Sequence, residues 1–189
     1  MNRDFILASS SPRRFELLRQ VGLPFQSIVP SVDESTDKTD PFAIVSELSA
    51  RKAAAVAKNN PISVVIAADT VVTVDGKILG KPHSEAEAAE MLRSLSGRSH
   101  FVFTGVTVIC DGRIETAICR TEVFFKDLSE EMIRAYLRTG EPFDKAGGYG
   151  IQGKGAVLVD RIDGDYSNVV GLPLSLLYEM LKEFGIHVL

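Results

Sequence analysis

Seven residues, Ile62 through Ala68 (Ile-Ser-Val-Val-Ile-Ala-Ala), constrain this chain more than any other stretch. As a strand, a run this apolar must be covered on both faces, as at the centre of an α/β sheet. The neighbouring segments supply what such a sheet needs. Phe5–Ala8 and Phe25–Val29 are short apolar strands, and between them Leu17, Leu18 and Val21 recur at helical spacing. Asp40-Pro41 pairs an N-cap with a proline at the first helical position and opens a helix to about Lys58, with Ile44, Val45, Leu48, Ala55 and Val56 on one stripe. Val71–Val74 and Ile78-Leu79 flank Asp75-Gly76 as a hairpin. Ser84 and Glu87 form a capping box ahead of Ala88, Met91, Leu92 and Leu95. His100–Cys110 and Ile114–Phe125 read as a long antiparallel hairpin. Ser129 caps a helix that stops at Gly140, and a last helix runs from Pro173 to Gly185. Glu141 to Tyr166 is glycine-punctuated and irregular, apart from a strand at Ala156–Val159. The mixture of βαβ units and hairpins predicts an α/β fold: a mixed central sheet flanked by helices, two lobes around a cleft, with residues 1–189 as one domain.

Composition removes several function classes. The net charge of −4 argues against a general nucleic-acid binder, so any polyanion site must be a local basic pocket. No stretch approaches the roughly 20 apolar residues of a membrane span, and no membrane partner is expected. The opening Met-Asn-Arg-Asp is followed at once by a four-residue apolar run, too short for the core of a secretory leader. Cys110 and Cys119 flank the Asp111-Gly112 turn. If that turn centres its hairpin, Cys110 faces Arg113 and Cys119 faces Thr104, so the thiols do not meet. Free thiols without a leader point to a reducing cytoplasm. His83, His100 and His187 are too scattered for a zinc site.

Chemistry concentrates in a few places. Ser9-Ser10-Ser11-Pro12-Arg13-Arg14 lies between the first strand and the first helix, with Ser11 as the N-cap and Pro12 at the first helical position. Two arginines in the first turn sit at the wrong end of the helix dipole for cations. The stretch therefore suits phosphate, although a solvated arginine pair would read the same way. Lys52 lies on the apolar stripe of its helix, where it either snorkels to the edge or answers a buried anion. Asp69-Thr70 closes the central strand, where open α/β sheets place ligand chemistry. Gly-Lys81-Pro follows the hairpin. Gly148 to Gly153 matches Gly-x-Gly-x-x-Gly, and through Lys154 nearly matches a Walker A loop. A turn precedes it and a β-like segment follows, so the dinucleotide and P-loop readings fail on context. A tight loop bringing Gln152 to a ligand survives.

Together these give a cationic set of Arg13, Arg14, Lys52, Lys81 and Lys145. They also give a carboxylate set of Glu34 (with Asp33) and Asp69, and a neutral hydrogen-bonding pair, Thr70 and Gln152. Hard oxygen donors without His or Cys select Mg²⁺ or Mn²⁺ over zinc. The sum describes a pocket for a metal-bound polyphosphate attached to a hydrogen-bonding group.

Ser-x-Ser-Pro-Arg-Arg after the first strand, Ala-Asp-Thr-Val-Val after the central one, Gly-Lys-Pro after the hairpin and Asp-Lys-Ala-Gly-Gly-Tyr-Gly-Ile-Gln-Gly near the end resemble the Maf family of nucleoside triphosphate pyrophosphatases. That family is related in fold to the inosine triphosphate pyrophosphatases, and the resemblance runs from about Phe5 to Leu181. The ending Gly-x-Tyr-Gly-Ile-Gln-Gly resembles the branch acting on dTTP and UTP. The resemblance implies Asp69 as proton acceptor and Glu34 as metal holder, with Asp69 also beside the metal. It implies Arg13, Thr70 and Gln152 as base-selecting residues, and Ser9, Ser11, Arg14, Lys52 and Lys81 as phosphate contacts, with Lys145 in the same cationic set. Ser10 stands where many members carry glycine, which bears on the turn's backbone but removes no side chain the site needs.

The expected reaction is metal-assisted attack of water on the α-phosphorus of dTTP, UTP or a modified pyrimidine triphosphate, leaving a monophosphate and pyrophosphate. Chemistry alone would let Asp69 and Glu34 exchange the roles of base and ligand. Two other readings stay open: a nucleotide-binding regulator of septum formation with no required turnover, and a kinase or nucleotidyltransferase that needs an acceptor. A homodimer is an arrangement the sequence leaves open.

Overall fold

The structure, a computed structural model, describes residues 3–188; Met1 and Asn2, which begin the segment where no leader was expected, and Leu189 lie outside the described residues. The strands are β1 (Phe5–Ala8), β2 (Gln26–Ile28), β3 (Val64–Val74), β4 (Lys77–Leu79), β5 (Ser99–Cys110), β6 (Arg113–Phe125) and β7 (Val159–Asp163). The helices are α1 (Pro12–Gln20), α2 (Pro41–Ala57), α3 (Glu85–Leu95), α4 (Glu130–Leu137), α5 (Tyr166–Val170) and α6 (Leu174–Glu183). One mixed sheet has the hydrogen-bonded order β2-β1-β3-β5-β6-β7, with β4 added to β3. β1 pairs in parallel with both β2 and β3, whereas β3–β4 and β6–β7 are antiparallel. This is the α/β fold with a mixed, helix-flanked sheet that the alternation of segments predicts.

The chain forms two compact units. The first comprises the residues up to Asp69, Thr104–Cys119 and the chain from Gly171 onward. Its core joins Ile6 and Ala8 of β1, Ala53 and Val56 of α2, Val65 and Ala67 of β3, and Ile109 of β5. Helix α2 docks on β5 through close polar and backbone contacts. A Cβ on Gly105 would stand 2.4 Å from the carbonyl oxygen of Val45, so only glycine lets the strand approach the helix. One helical turn further on, the hydroxyls of Ser49 and Thr107 lie 2.9 Å apart. Thr107 in turn meets Thr116 at 2.8 Å. That pair belongs to the register in which Cys110 opposes Arg113, and neither Cys110 nor Cys119 is in a disulfide.

The second unit comprises Thr70–Phe103 and Arg120–Val170. Its core gathers Val72 and Val74 of β3, Ala88, Leu92 and Leu95 of α3, Val123 and Phe125 of β6, and Ile133 and Leu137 of α4. Among them lies His100, 1% exposed, its Nε2 2.7 Å from the hydroxyl of Tyr149. Phe125 and Tyr149 meet the imidazole edge-to-face at 5.0 and 5.3 Å. Its Nδ1 has no partner among the described residues, and burial pushes the imidazole pKa down to about 4. An unfolded chain takes up this proton near pH 6.5, whereas the folded one resists until about pH 4. His100 therefore contributes stability above pH 6.5 that is lost as pH falls toward 4, amounting to about 3 kcal/mol if fully expressed. Urea melts between pH 7 and 5 are expected to show this slope. His100→Gln should flatten it; an unchanged slope would assign the acid sensitivity elsewhere.

The structure revises several sequence expectations. The predicted strand Ile62–Ala68 and the hairpin arm Val71–Val74 are one continuous strand, β3, and Ile62 precedes it at 80% exposure. No turn residue interrupts Ala68 to Val71, and the β-branched run beyond keeps the backbone extended. Asp69 consequently lies within a strand rather than at its end. The predicted strand Ala156–Val159 is mostly 3₁₀ helix over Gly153–Leu158, and β7 begins only at Val159. Two more 3₁₀ turns, Glu141–Asp144 and Ala146–Gly148, lead into the glycine loop where a P-loop would need a strand, so that reading fails as expected. On α2, Ala53 is fully buried whereas Ala55 is only half-buried. In the α3 box Ser84 caps Glu87, but the Glu87 carboxylate answers the N–H of His83.

Candidate active site

Within the first unit, the turn after β1 is organised by Ser9 rather than by Ser11. Ser9 is buried, its hydroxyl accepts the N–H of Ser11 at 3.1 Å, and its carbonyl accepts the Ser27 hydroxyl at 3.0 Å. Ser11 occupies the N-cap position of α1, with Pro12 after it, but its side chain makes no capping bond. Ser9 has already turned the backbone, which leaves the Ser11 hydroxyl available to a ligand. Arg13 and Arg14 lie in the first turn of α1, and Arg14 Nε donates to the carbonyl of Gly171 at 2.7 Å. Burial lowers the Arg14 pKa below the usual arginine value; Asp69 opposes that effect, neighbouring Arg13 adds to it, and Glu34 opposes it. Arg14 is thus close enough to both carboxylates to feel their charge.

The centre of this unit is Lys52. Helix α2 starts at Pro41, where the Asp40 carboxylate caps the N–H of Ala43, and it buries a face running through Val45, Ser49 and Lys52. Lys52 is 7% exposed, and its Nζ donates to Asp69 Oδ1 at 2.6 Å and to Glu34 Oε2 at 2.9 Å. Of the two sequence readings for this lysine, the buried anion is the one observed. Asp69 is itself 7% exposed, whereas the Glu34 side chain is 60% exposed.

Glu34 is held by its loop. The Asp33 carboxylate accepts both the N–H and the hydroxyl of Ser35, which keep its pKa below the ordinary carboxylate value. Arg51 donates to the carbonyl of Ser35 at 2.9 Å and to that of Asp33, and pairs with Glu47. Thr36 also bonds Glu47, at 3.0 Å. Arg51 and Glu47 escaped sequence reasoning because an i,i+4 pair of opposite charge on a helix normally reads as a solvated face.

The second unit carries Thr70, Lys81, Lys145 and Gln152. Thr70 is half-buried on β3, and Lys81 is exposed. Beside it, the carbonyl of Gly80 accepts the N–H of Gly147 at 3.0 Å, which ties the Lys81 segment to the one carrying Lys145. Lys145 Nζ donates to the carbonyl of Glu141 at 2.6 Å and to the carboxylate of Asp144. Gln152 is half-buried, and no described residue bonds its side chain. Tyr136, whose hydroxyl accepts the N–H of Gly150, is raised to about pKa 12, chiefly by burial.

Among the described residues, no three His, Cys, Asp or Glu side chains are grouped for a metal. Asp69 and Glu34 nevertheless meet at one ammonium, and two hard carboxylates suit Mg²⁺ or Mn²⁺ when the remaining oxygen ligands come from phosphate. Among the described residues, no helix is long and apolar enough to cross a membrane.

This fold is shared with the Ham1 protein of Staphylococcus aureus, at a TM-score of 0.57 and 15% identity, over 96% of this chain and 100% of that one. Residues 4–184 match the family described as Maf-like protein, and the chain belongs to that family. A protein of Bacillus cereus named dTTP/UTP pyrophosphatase is 53% identical over 98% of both chains. One of Bacillus anthracis with the same name is 52% identical over 98% of both.

Proposed function

We propose that this protein is a nucleoside triphosphate pyrophosphatase that hydrolyses dTTP and UTP, and by extension modified pyrimidine triphosphates, to the monophosphate and pyrophosphate. The observation that carries this reading is the buried Lys52 ammonium bonded to both Asp69 and Glu34. A binding module gains nothing from placing two carboxylates near a polyanion; a hydrolase needs them. The names of relatives 53% identical over nearly the whole chain support the choice of substrate.

In this reading Asp69 is the proton acceptor. Buried within β3 and oriented by Lys52, it takes a proton from water at its carboxylate as the α-phosphorus is attacked. Glu34, the more exposed carboxylate, would hold the metal together with Asp69. Mg²⁺ or Mn²⁺ at that point would neutralise charge on the triphosphate oxygens as pyrophosphate departs. Arg14, Lys52, Lys81 and Lys145 would share that neutralisation, with the Ser9 and Ser11 turn offering hydroxyl and backbone donors. Arg13, Thr70 and Gln152 would read the base. The partner is a nucleotide rather than nucleic acid or a membrane, and a cytoplasmic location agrees with two cysteines outside any disulfide.

The test is to incubate the protein with Mg²⁺ and a panel of nucleoside triphosphates and to measure pyrophosphate and monophosphate. dTTP and UTP should exceed the purine nucleotides about tenfold or more in kcat/KM, a difference of about 1.4 kcal/mol. A flat profile removes the pyrimidine assignment. Binding without release would favour the septum regulator, and product formed only with an acceptor would favour a transferase.

A further inference from the structure

We propose that Glu141 is a positioning residue that sets base selectivity by fixing the backbone on which Gln152 is carried. The inference rests on Gln152 reading the base. Glu141 begins the 3₁₀ turn after α4, and both of its carboxylate oxygens face the glycine loop. Oε1 accepts the N–H of Lys154 at 3.0 Å and Oε2 accepts the N–H of Gly155 at 3.2 Å. On the other side of Gln152, Gly150 donates its N–H to the Tyr136 hydroxyl at 3.1 Å. The loop is therefore gripped two residues before Gln152 and two to three residues after it, while the Gln152 amide keeps its hydrogen-bonding capacity for a ligand.

The glycines follow from the same closure. Gly153 has φ +63°, and a Cβ there would come within 2.9 Å of Glu141 Oε1. A Cβ on Gly155 would lie 2.2 Å from the carbonyl oxygen of Gly150 and 2.7 Å from the Tyr136 hydroxyl. The two ends of the loop touch, and side chains there would force them apart. The run that imitates a nucleotide-binding signature is glycine-rich because it closes on Glu141, Tyr136 and itself. Glu141 also accepts Lys145 Nζ on its backbone carbonyl, so one residue places both a proposed phosphate contact and the proposed base reader.

Glutamine cannot replace this carboxylate. Two N–H groups converge on two acceptor oxygens, whereas an amide would turn its own NH₂ toward one of them. Glu141→Gln is therefore expected to raise KM for the preferred pyrimidine triphosphate about tenfold and to cut the preference over purine nucleotides about as much, with kcat within about threefold. Gln152→Ala should do the same, and the double variant should be no worse than Gln152→Ala alone, because Glu141 acts through Gln152. Tyr136→Phe, which keeps the ring and removes the hydroxyl that accepts from Gly150 and bonds the Glu141 carboxylate, should show a smaller loss of the same kind and serves if Glu141→Gln folds poorly. Independently of turnover, the Lys154 and Gly155 amides should exchange hydrogen about tenfold faster in Glu141→Gln, while the α3 amides stay unchanged. Unaltered exchange at those two amides overturns the proposal, as does additive behaviour of the double variant. Unaltered base preference in Gln152→Ala overturns it through its premise. Unaltered preference in Glu141→Gln, with Gln152→Ala affected, overturns it at Glu141 itself.

Discussion

Replacing Asp69 with asparagine is expected to lower kcat about a thousandfold while nucleotide affinity stays within a fewfold of the parent value. The size follows from what the change removes. Asparagine has nearly the shape of aspartate, and its Oδ1 can still accept from Lys52 Nζ, so the strand and the lysine keep their places. In the proposed mechanism the ability to accept a proton from water is lost, and the Glu34 carboxylate, 60% exposed, does not replace a base buried within β3. The separation of rate from binding is the informative part: kcat from initial rates, and Kd from calorimetry with a non-hydrolysable analogue. A variant that retains a tenth or more of the parent rate would remove Asp69 from the mechanism and move the proton to Glu34.

Lys52→Met should damage both stability and turnover. Methionine fills the space of the lysine stem but leaves Asp69 as a carboxylate 7% exposed and stripped of its main counter-charge. Breaking a buried pair from one side costs about 3 kcal/mol or more, because the remaining charge stays buried. Glu34 should contribute little of this, since water reaches it freely. Urea denaturation at pH 7 measures the loss, and the double variant Lys52→Met/Asp69→Asn should recover most of it by removing the stranded charge. Turnover should fall about a hundredfold or more in Lys52→Met and should not recover in the pair. Equal stability of the single and double variants would mean that the ion pair contributes little to folding.

The sequence was most legible where a local pattern and a tertiary need coincide. Asp40-Pro41, Ser129 and the Asp75-Gly76 turn announce element ends through backbone chemistry that needs no partner elsewhere in the chain. Lys52 stood out for a different reason: a charge on an apolar stripe must be answered, although the sequence could not say by what. Legibility failed where long-range pairing overrides local signals. Nothing between Ala68 and Val71 shows that one strand continues through Asp69, because the ladder is supplied by segments distant in sequence. The 3₁₀ turn Gly153–Leu158 and the loop before it are equally hidden, since the residues that hold them are a tyrosine and a glutamate whose hydrogen bonds run to backbone N–H groups. Arg51 is hidden too, because it acts on the carbonyls of Asp33 and Ser35, which carry no mark in the sequence.

The meeting of Gly105 with the backbone of Val45, followed by Ser49 against Thr107, has a bearing on how the chain can drift over evolutionary time. Those contacts fix the height of α2 above β5, and that height decides how far the ammonium at the helix's next turn can extend. A single methyl group added at Gly105 would lift the helix and carry the lysine with it, so a change at a residue with no functional group would disturb the ammonium that meets Asp69.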